Sequence, residues 1–177
     1  MVKTKYFLLV DDDNFFTEET NIEKLVAILE STDAHFVGGD HTVGYKYCGY
    51  FGKLTCLRNQ ENGKITLIHE NGLYFEKIRE FDYCYRADIM KNFFVARKDE
   101  VLKLGGWSNE LLVLEHEDFF IRMLQQDAKS IFCTDIKIGH NQVYDGVRTQ
   151  RAHMEEAYSK MWMNMNHVNH YDYRPTN

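Results

Sequence analysis

Residues 6–10 read YFLLV, an unbroken apolar run rather than an alternating one, which is the pattern of a strand covered on both faces in an α/β sheet. The run stops abruptly at Asp11-Asp12-Asp13. Ile22, Leu25, Val26 and Leu29 then recur at helical spacing behind Thr20-Asn21-Ile22-Glu23, which has the form of a capping box. HFVGG (35–39) reads as a short strand closed by its glycine pair. Aromatic and β-branched residues between Tyr45 and Ile68, interrupted by an Asn62-Gly63 turn, predict a hairpin. KNFFVAR (91–97) predicts a strand, and KDEVLK a short helix ended by Gly105 and Gly106. A helix over 117–126 carries acids in its first turn, where the dipole favours them. KSIFCTDIKIGH predicts one or two strands ending at His140, and 149–166 a Met-rich helix. The order of elements is mixed α/β, without repeat, linker or low-complexity tract.

Composition narrows this little. The 177 residues suffice for one domain with a sizeable core. A net charge of −6, with no clustered basic face, excludes nucleic acid as a partner. No stretch approaches the ~20 apolar residues of a membrane span, so the chain as written is expected to be soluble. Cys48, Cys56, Cys84 and Cys133 lack C-x-x-C spacing, which argues against structural zinc; their even number permits disulfides without requiring them.

The three aspartates carry the chemistry. Adjacent like charges need either water or a cation. A strand ending in acids serves receiver domains, aspartate-nucleophile phosphatases and metal-dependent nucleotide-sugar transferases. The receiver reading fails because no aspartate lies between Gly44 and Ile68 to accept the phosphoryl group. The phosphatase reading, with Asp11 as nucleophile and Asp13 as acid, lacks the small residue expected after Asp13, where Asn14 and Phe15 stand. The transferase reading finds Asp11 and Asp13 on one side of the pleat, able to share a hard cation with a diphosphate. LEHEDFF supplies Glu115, Glu117 and Asp118 as candidates to take a proton from an attacking hydroxyl. His140 ends a late strand, where an imidazole completes a carboxylate set for Mn²⁺ or a similar ion.

KYFLLVDDDNFF, FVGGDHT, NFFVARKDEVLKLGGW, LEHEDFFIR and IKIGH occur in that order over Lys5 to His140. Together they resemble the catalytic region of the β-1,4-N-acetylgalactosaminyltransferases that build gangliosides and related carbohydrate antigens. The resemblance implies a GT-A fold, a mixed sheet flanked by helices. It also implies a UDP-sugar donor such as UDP-GalNAc, Mn²⁺ or Mg²⁺, inversion at the anomeric carbon, a glycan or glycolipid acceptor, and the Golgi lumen. Asp11, Asp12 and Asp13 match the family's metal and nucleotide motif, and His140 its late metal-ligand histidine. Glu117-Asp118 falls where related inverting enzymes carry an acidic pair, leaving open which acid is the base. LGGWS, with Gly106 and Trp107, is expected to border the sugar pocket together with Glu115, Trp107 stacking on the acceptor or plugging the core.

Residues 1–145 are thus expected to form the catalytic region and 146–177 a C-terminal helical extension. Because the acidic motif begins at residue 11, the nucleotide-binding half is expected to be short or missing, with an open sheet edge at residues 5–10. The alternative is a catalytically silent remnant or interaction domain. His41, beside Asp40 in an expected loop, receives no role.

Overall fold

The computed structural model describes residues 2–43, 46–47, 51–72, 76–141 and 146–175. In chain order these form β1 (Tyr6–Val10), β2 (Asn14–Phe15), α1 (Ile22–Ser31), β3 (Phe36–Val43), β4 (Lys46–Tyr47), β5 (Phe51–Arg58) and β6 (Ile65–Asn71). There follow β7 (Cys84–Ala87), β8 (Ile89–Met90), β9 (Phe93–Arg97), α2 (Lys98–Lys103), α3 (Glu115–Gln125), β10 (Ser130–His140), α4 (Gly146–Met165) and β11 (His170–Arg174). Strands β1-β9-β3-β10-β2 make the backbone of a seven-stranded sheet, with β4 on β3 and β7 on β10. A four-stranded sheet runs β11-β6-β5-β8. Pairing is parallel between β3 and β10 and antiparallel between β9 and both β1 and β3. The architecture is mixed α/β and consistent with a partial GT-A-like fold.

Alternation along the strands divides the core into two apolar layers. Val37, Phe93, Val95, Ile131 and Ile138 face Leu25, Ile28 and Leu29 of α1. Their neighbours Phe36, Phe94 and Phe132 face the other way, against Phe119 and Phe120 of α3, Leu54 and Leu67 of the second sheet, and Trp162 of α4. The C-terminal segment therefore shares the main core. Strand β1 ends the large sheet and pairs with β9 alone among the described residues. Its Tyr6 and Leu8 pack on one layer and Phe7 and Leu9 on the other, half-buried as suits an edge strand.

Several local expectations change. Asn21 rather than Thr20 caps α1, its side chain accepting from the Lys24 N–H at 2.8 Å, while the Thr20 hydroxyl donates to the Lys137 carbonyl. Strand β3 does not close at Gly38-Gly39 but continues to Val43. A Cβ at Gly39 would overlap the Ile136 carbonyl and the Phe93 ring, so glycine permits β3 to run that close to β10. His41 consequently lies in a strand, not a loop. The hairpin forms as β5 and β6, with Gly63 at φ 68° in its turn; Tyr45 and residues 48–50 of that expectation lie outside the described residues. Strands β7, β8 and β11 carry no clear sequence pattern. A disulfide joins Cys84 to Cys133, facing residues of β7 and β10, both fully buried. No helix among the described residues is long and apolar enough to cross a membrane.

Candidate active site

Where β1 ends, the chain turns and is stitched at once to the end of β10. The Asn14 N–H donates to the Asp11 carbonyl at 3.2 Å, and the Asn141 N–H to the Asp13 carbonyl at 2.8 Å. Strand β2 pairs Asn14 with His140 and Phe15 with Gly139, and the Phe15 ring occupies the space a side chain at 139 would take. These local contacts bring together side chains 127 positions apart: the His140 Nε2–H donates to Asp13 Oδ2 at 3.0 Å. A carboxylate only accepts, so Nε2 of His140 carries a proton, and in the neutral ring Nδ1 then bears the lone pair. That Nδ1 is buried and has no hydrogen-bond partner among the described residues.

Asp11 is held from the other side. The Asn92 amide donates to Asp11 Oδ1 at 2.9 Å, which turns the Asn92 carbonyl toward His116, and His116 Nδ1–H donates to it at 2.8 Å. Burial pushes the His116 pKa down, against the raising influence of Glu117 and Asp11. His41 of β3 stands beside His140, with ring centroids 5.4 Å apart. It is 2% exposed, and neither ring nitrogen has a partner among the described residues. Burial first, then Lys91 and His140, lowers its pKa to about 3, so its imidazole is neutral at physiological pH.

These groups line one open cleft of about 1170 Å³. Asp11, Asp12, Asp13, Glu115, Glu117 and Glu155 line it together with Lys91 and Arg151. The α4 contribution, Val147, Arg151, Ala152 and Glu155, forms one wall, and Arg151 approaches Glu115 at 3.4 Å. So acidic a cleft repels a diphosphate unless a cation accompanies it. No group of three or more His, Cys, Asp or Glu side chains among the described residues is already gathered closely enough to hold a metal ion. The donor set nevertheless suits one: carboxylates and imidazoles adjoin, and buried imidazole nitrogens lack partners among the described residues.

Three residues expected at the site lie elsewhere. Asp118 is 1% exposed, does not line the cleft, and has both oxygens engaged, Oδ2 by Arg122 Nε at 2.8 Å and Oδ1 by the Asn166 amide at 2.9 Å. On α3, residues 115 and 118 share a face only in part, and the burial of Phe119 and Phe120 turns Asp118 inward while Glu115 and Glu117 stay at the cleft. Trp107 stacks on Phe119 with centroids 4.3 Å apart and planes 4° apart, extending the aromatic core rather than the cleft. Gly106 uses its carbonyl to accept from Arg122 at 2.7 Å. Conversely, His41, Lys91, Asn92, His116 and Arg151 went unassigned. Only His116, set between acids at the start of a helix, carried a local signal.

No protein-family model matches the chain. It is 32% identical to rat beta-1,4 N-acetylgalactosaminyltransferase 1 over 139 residues, 78% of this chain and 26% of the relative. Identity is 29% with the human protein of the same name, over 90% of this chain and 30% of the relative. With mouse beta-1,4 N-acetylgalactosaminyltransferase 2 it is 31%, over 94% and 31%. The chain thus spans between a quarter and a third of the curated relatives it matches. These similarities, together with the fold and cleft, support a glycosyltransferase. They support its assignment to the β-1,4-N-acetylgalactosaminyltransferase family, the one its motifs resemble.

Proposed function

We propose that the cleft is the cation and acceptor side of a glycosyltransferase site that moves a hexosamine, GalNAc by analogy with its relatives' names, from UDP to a glycan or glycolipid hydroxyl with inversion. The observation that carries this is the meeting of Asp11, Asp13 and His140 with Glu115 and Glu117 across one cleft. A divalent cation, Mn²⁺ or Mg²⁺, when bound there neutralises the departing diphosphate. Asp11 and His140 would hold it; Asp13, whose Oδ2 accepts from the His140 Nε2–H, orients that ring instead of ligating, and Asp12 lies beside the nucleotide. Asn92 and His116 fix the direction of the Asp11 carboxylate. Glu117 takes the acceptor hydroxyl proton as that oxygen attacks the anomeric carbon; the bond to UDP breaks on the opposite face and the proton stays on the carboxylate. Lys91 and Arg151 offer positive charge to the leaving group, and Asp118 anchors α3 to α4 instead of meeting substrate. On this reading residues 146–175 complete the site as well as the core.

The buried Cys84–Cys133 disulfide fits an oxidising compartment such as the Golgi lumen. The silent-domain alternative draws on one observation, the outer edge of β1, unpaired among the described residues and open to another strand. UDP release from UDP-GalNAc in the presence of Mn²⁺ and a panel of glycan acceptors tests the proposal. Turnover lost in Glu117→Gln supports it, whereas UDP binding without turnover under any acceptor favours the alternative.

A further inference from the structure

We propose that His41 is a nitrogen ligand, beside His140, for a divalent transition-metal ion in the cleft. The inference rests on the reading of the cleft as a cation site and deepens it, because it names a ligand outside the acidic motif and the class of ion that ligand selects. Three buried imidazole nitrogens lie together without hydrogen-bond partners among the described residues: both of His41 and Nδ1 of His140. A buried polar atom left unpaired is costly, and such atoms in a native fold call for an explanation. A cation answers for a lone pair on each ring.

The geometry agrees. Two imidazoles bound to one ion at metal–nitrogen distances near ~2.1 Å place their ring centroids about 4.7 to 5.4 Å apart, depending on the angle at the metal. The observed separation is 5.4 Å. Asp13 accepts from Nε2–H of His140 at 3.0 Å, leaving Nδ1 for a metal. That is the carboxylate–imidazole–metal arrangement by which proteins orient ligating histidines. Strand register contributes too: β3 and β10 run parallel with His41 opposite Ile138, so both rings reach the same end of the sheet. Two imidazoles favour Co²⁺, Ni²⁺ or Zn²⁺ over the hard, oxygen-seeking Mg²⁺, with Mn²⁺ between.

The test is titration of the intact chain with Co²⁺, followed by visible absorption and by paramagnetically shifted, exchangeable imidazole proton resonances. The expected result is two such imidazole resonances, one of them lost in His41→Gln. Co²⁺ affinity is expected to fall in that variant by at least the roughly 10- to 100-fold that loss of an outer-shell partner costs, and by more than Mg²⁺ affinity measured by calorimetry. His41→Phe, which fills the buried ring site without a ligand nitrogen, serves as the second variant. A single shifted imidazole in the unaltered chain, or unchanged Co²⁺ affinity in a folded variant, overturns the role of His41 while leaving the cation site standing. No Co²⁺ or Mn²⁺ binding by the unaltered chain overturns the cation site and this inference with it.

Discussion

Replacing Asp118 by Asn separates an anchoring carboxylate from a catalytic one. Asp118 is buried, with Arg122 on one oxygen and the Asn166 amide on the other. The introduced amide would still accept from Asn166 through its carbonyl but would turn an N–H toward the guanidinium. The change removes one charge-assisted hydrogen bond, about 1.5–3 kcal/mol, and opposes two donors. Breaking a buried ion pair from one side costs about 3–5 kcal/mol. Arg122 keeps the Leu104 and Gly106 carbonyls as acceptors and its side chain is 24% exposed, which places the expected loss near the lower end, about 3 kcal/mol. For a chain of this size that is a fall of roughly 6–12 °C in Tm. Urea unfolding followed by tryptophan fluorescence measures it, since Trp162 sits in the same core and Trp107 stacks on Phe119. Glu117→Gln, at the cleft, should change stability by no more than about 0.5 kcal/mol yet reduce transfer by about 10²–10⁴. An Asp118→Asn variant as stable as the unaltered chain but devoid of transfer would overturn the anchoring role and make Asp118 the base.

Other perturbations have defined outcomes. Burial lowers the His69 pKa to about 4, well below the ~6.5 of an unfolded imidazole, so the unfolded chain binds more protons between those values. Stability should be full above about pH 6.5 and fall by roughly 2–3 kcal/mol as the pH drops toward 4; urea midpoints in His69→Gln should show a shallower fall, and a rise on acidification would contradict this. Reducing Cys84–Cys133, which closes a separation of 49 residues, should cost roughly 4 kcal/mol by loop entropy, read from urea midpoints with and without reductant. Alkylation of the native chain should modify the exposed Cys56 thiol and spare Cys84 and Cys133; labelling of all three without unfolding would contradict the fold. Gly39→Ala drives a Cβ into the Ile136 carbonyl and should destabilise by at least about 1–3 kcal/mol, again measured by urea, with no change if β3 runs farther from β10 than described.

How much of this was legible follows the range of the signals. Periodicity and turn chemistry located β1, α1, the β5–β6 hairpin, β9, α2, α3 and β10, because each is decided by neighbours in sequence. The fate of the strand at Gly38-Gly39 was not, because those glycines answer to Phe93 and Ile136, residues brought in by β9 and β10. Strand β11 carries little apolar pattern of its own and owes its place to pairing with β6 and to Tyr171 packing on Trp162. At the cleft, Asp11, Asp13, Glu117 and His140 announced themselves as acids or imidazoles at element ends. Asp118 differs from Glu117 by one helical position, about 100° of rotation, and only the partners Arg122 and Asn166 reveal that it faces inward. His41 and Asn92 acquire meaning solely through residues far along the chain, His140 and Asp11.

The proposed role of the acidic turn after β1 is to bind a nucleotide diphosphate through a cation. Calorimetric titration of UDP into the chain, with and without Mn²⁺ and in Asp13→Ala, tests it most directly. Binding that requires Mn²⁺ and disappears in the variant is the expected result. UDP binding that ignores Mn²⁺ or survives Asp13→Ala, or no binding under any of these conditions, would contradict it.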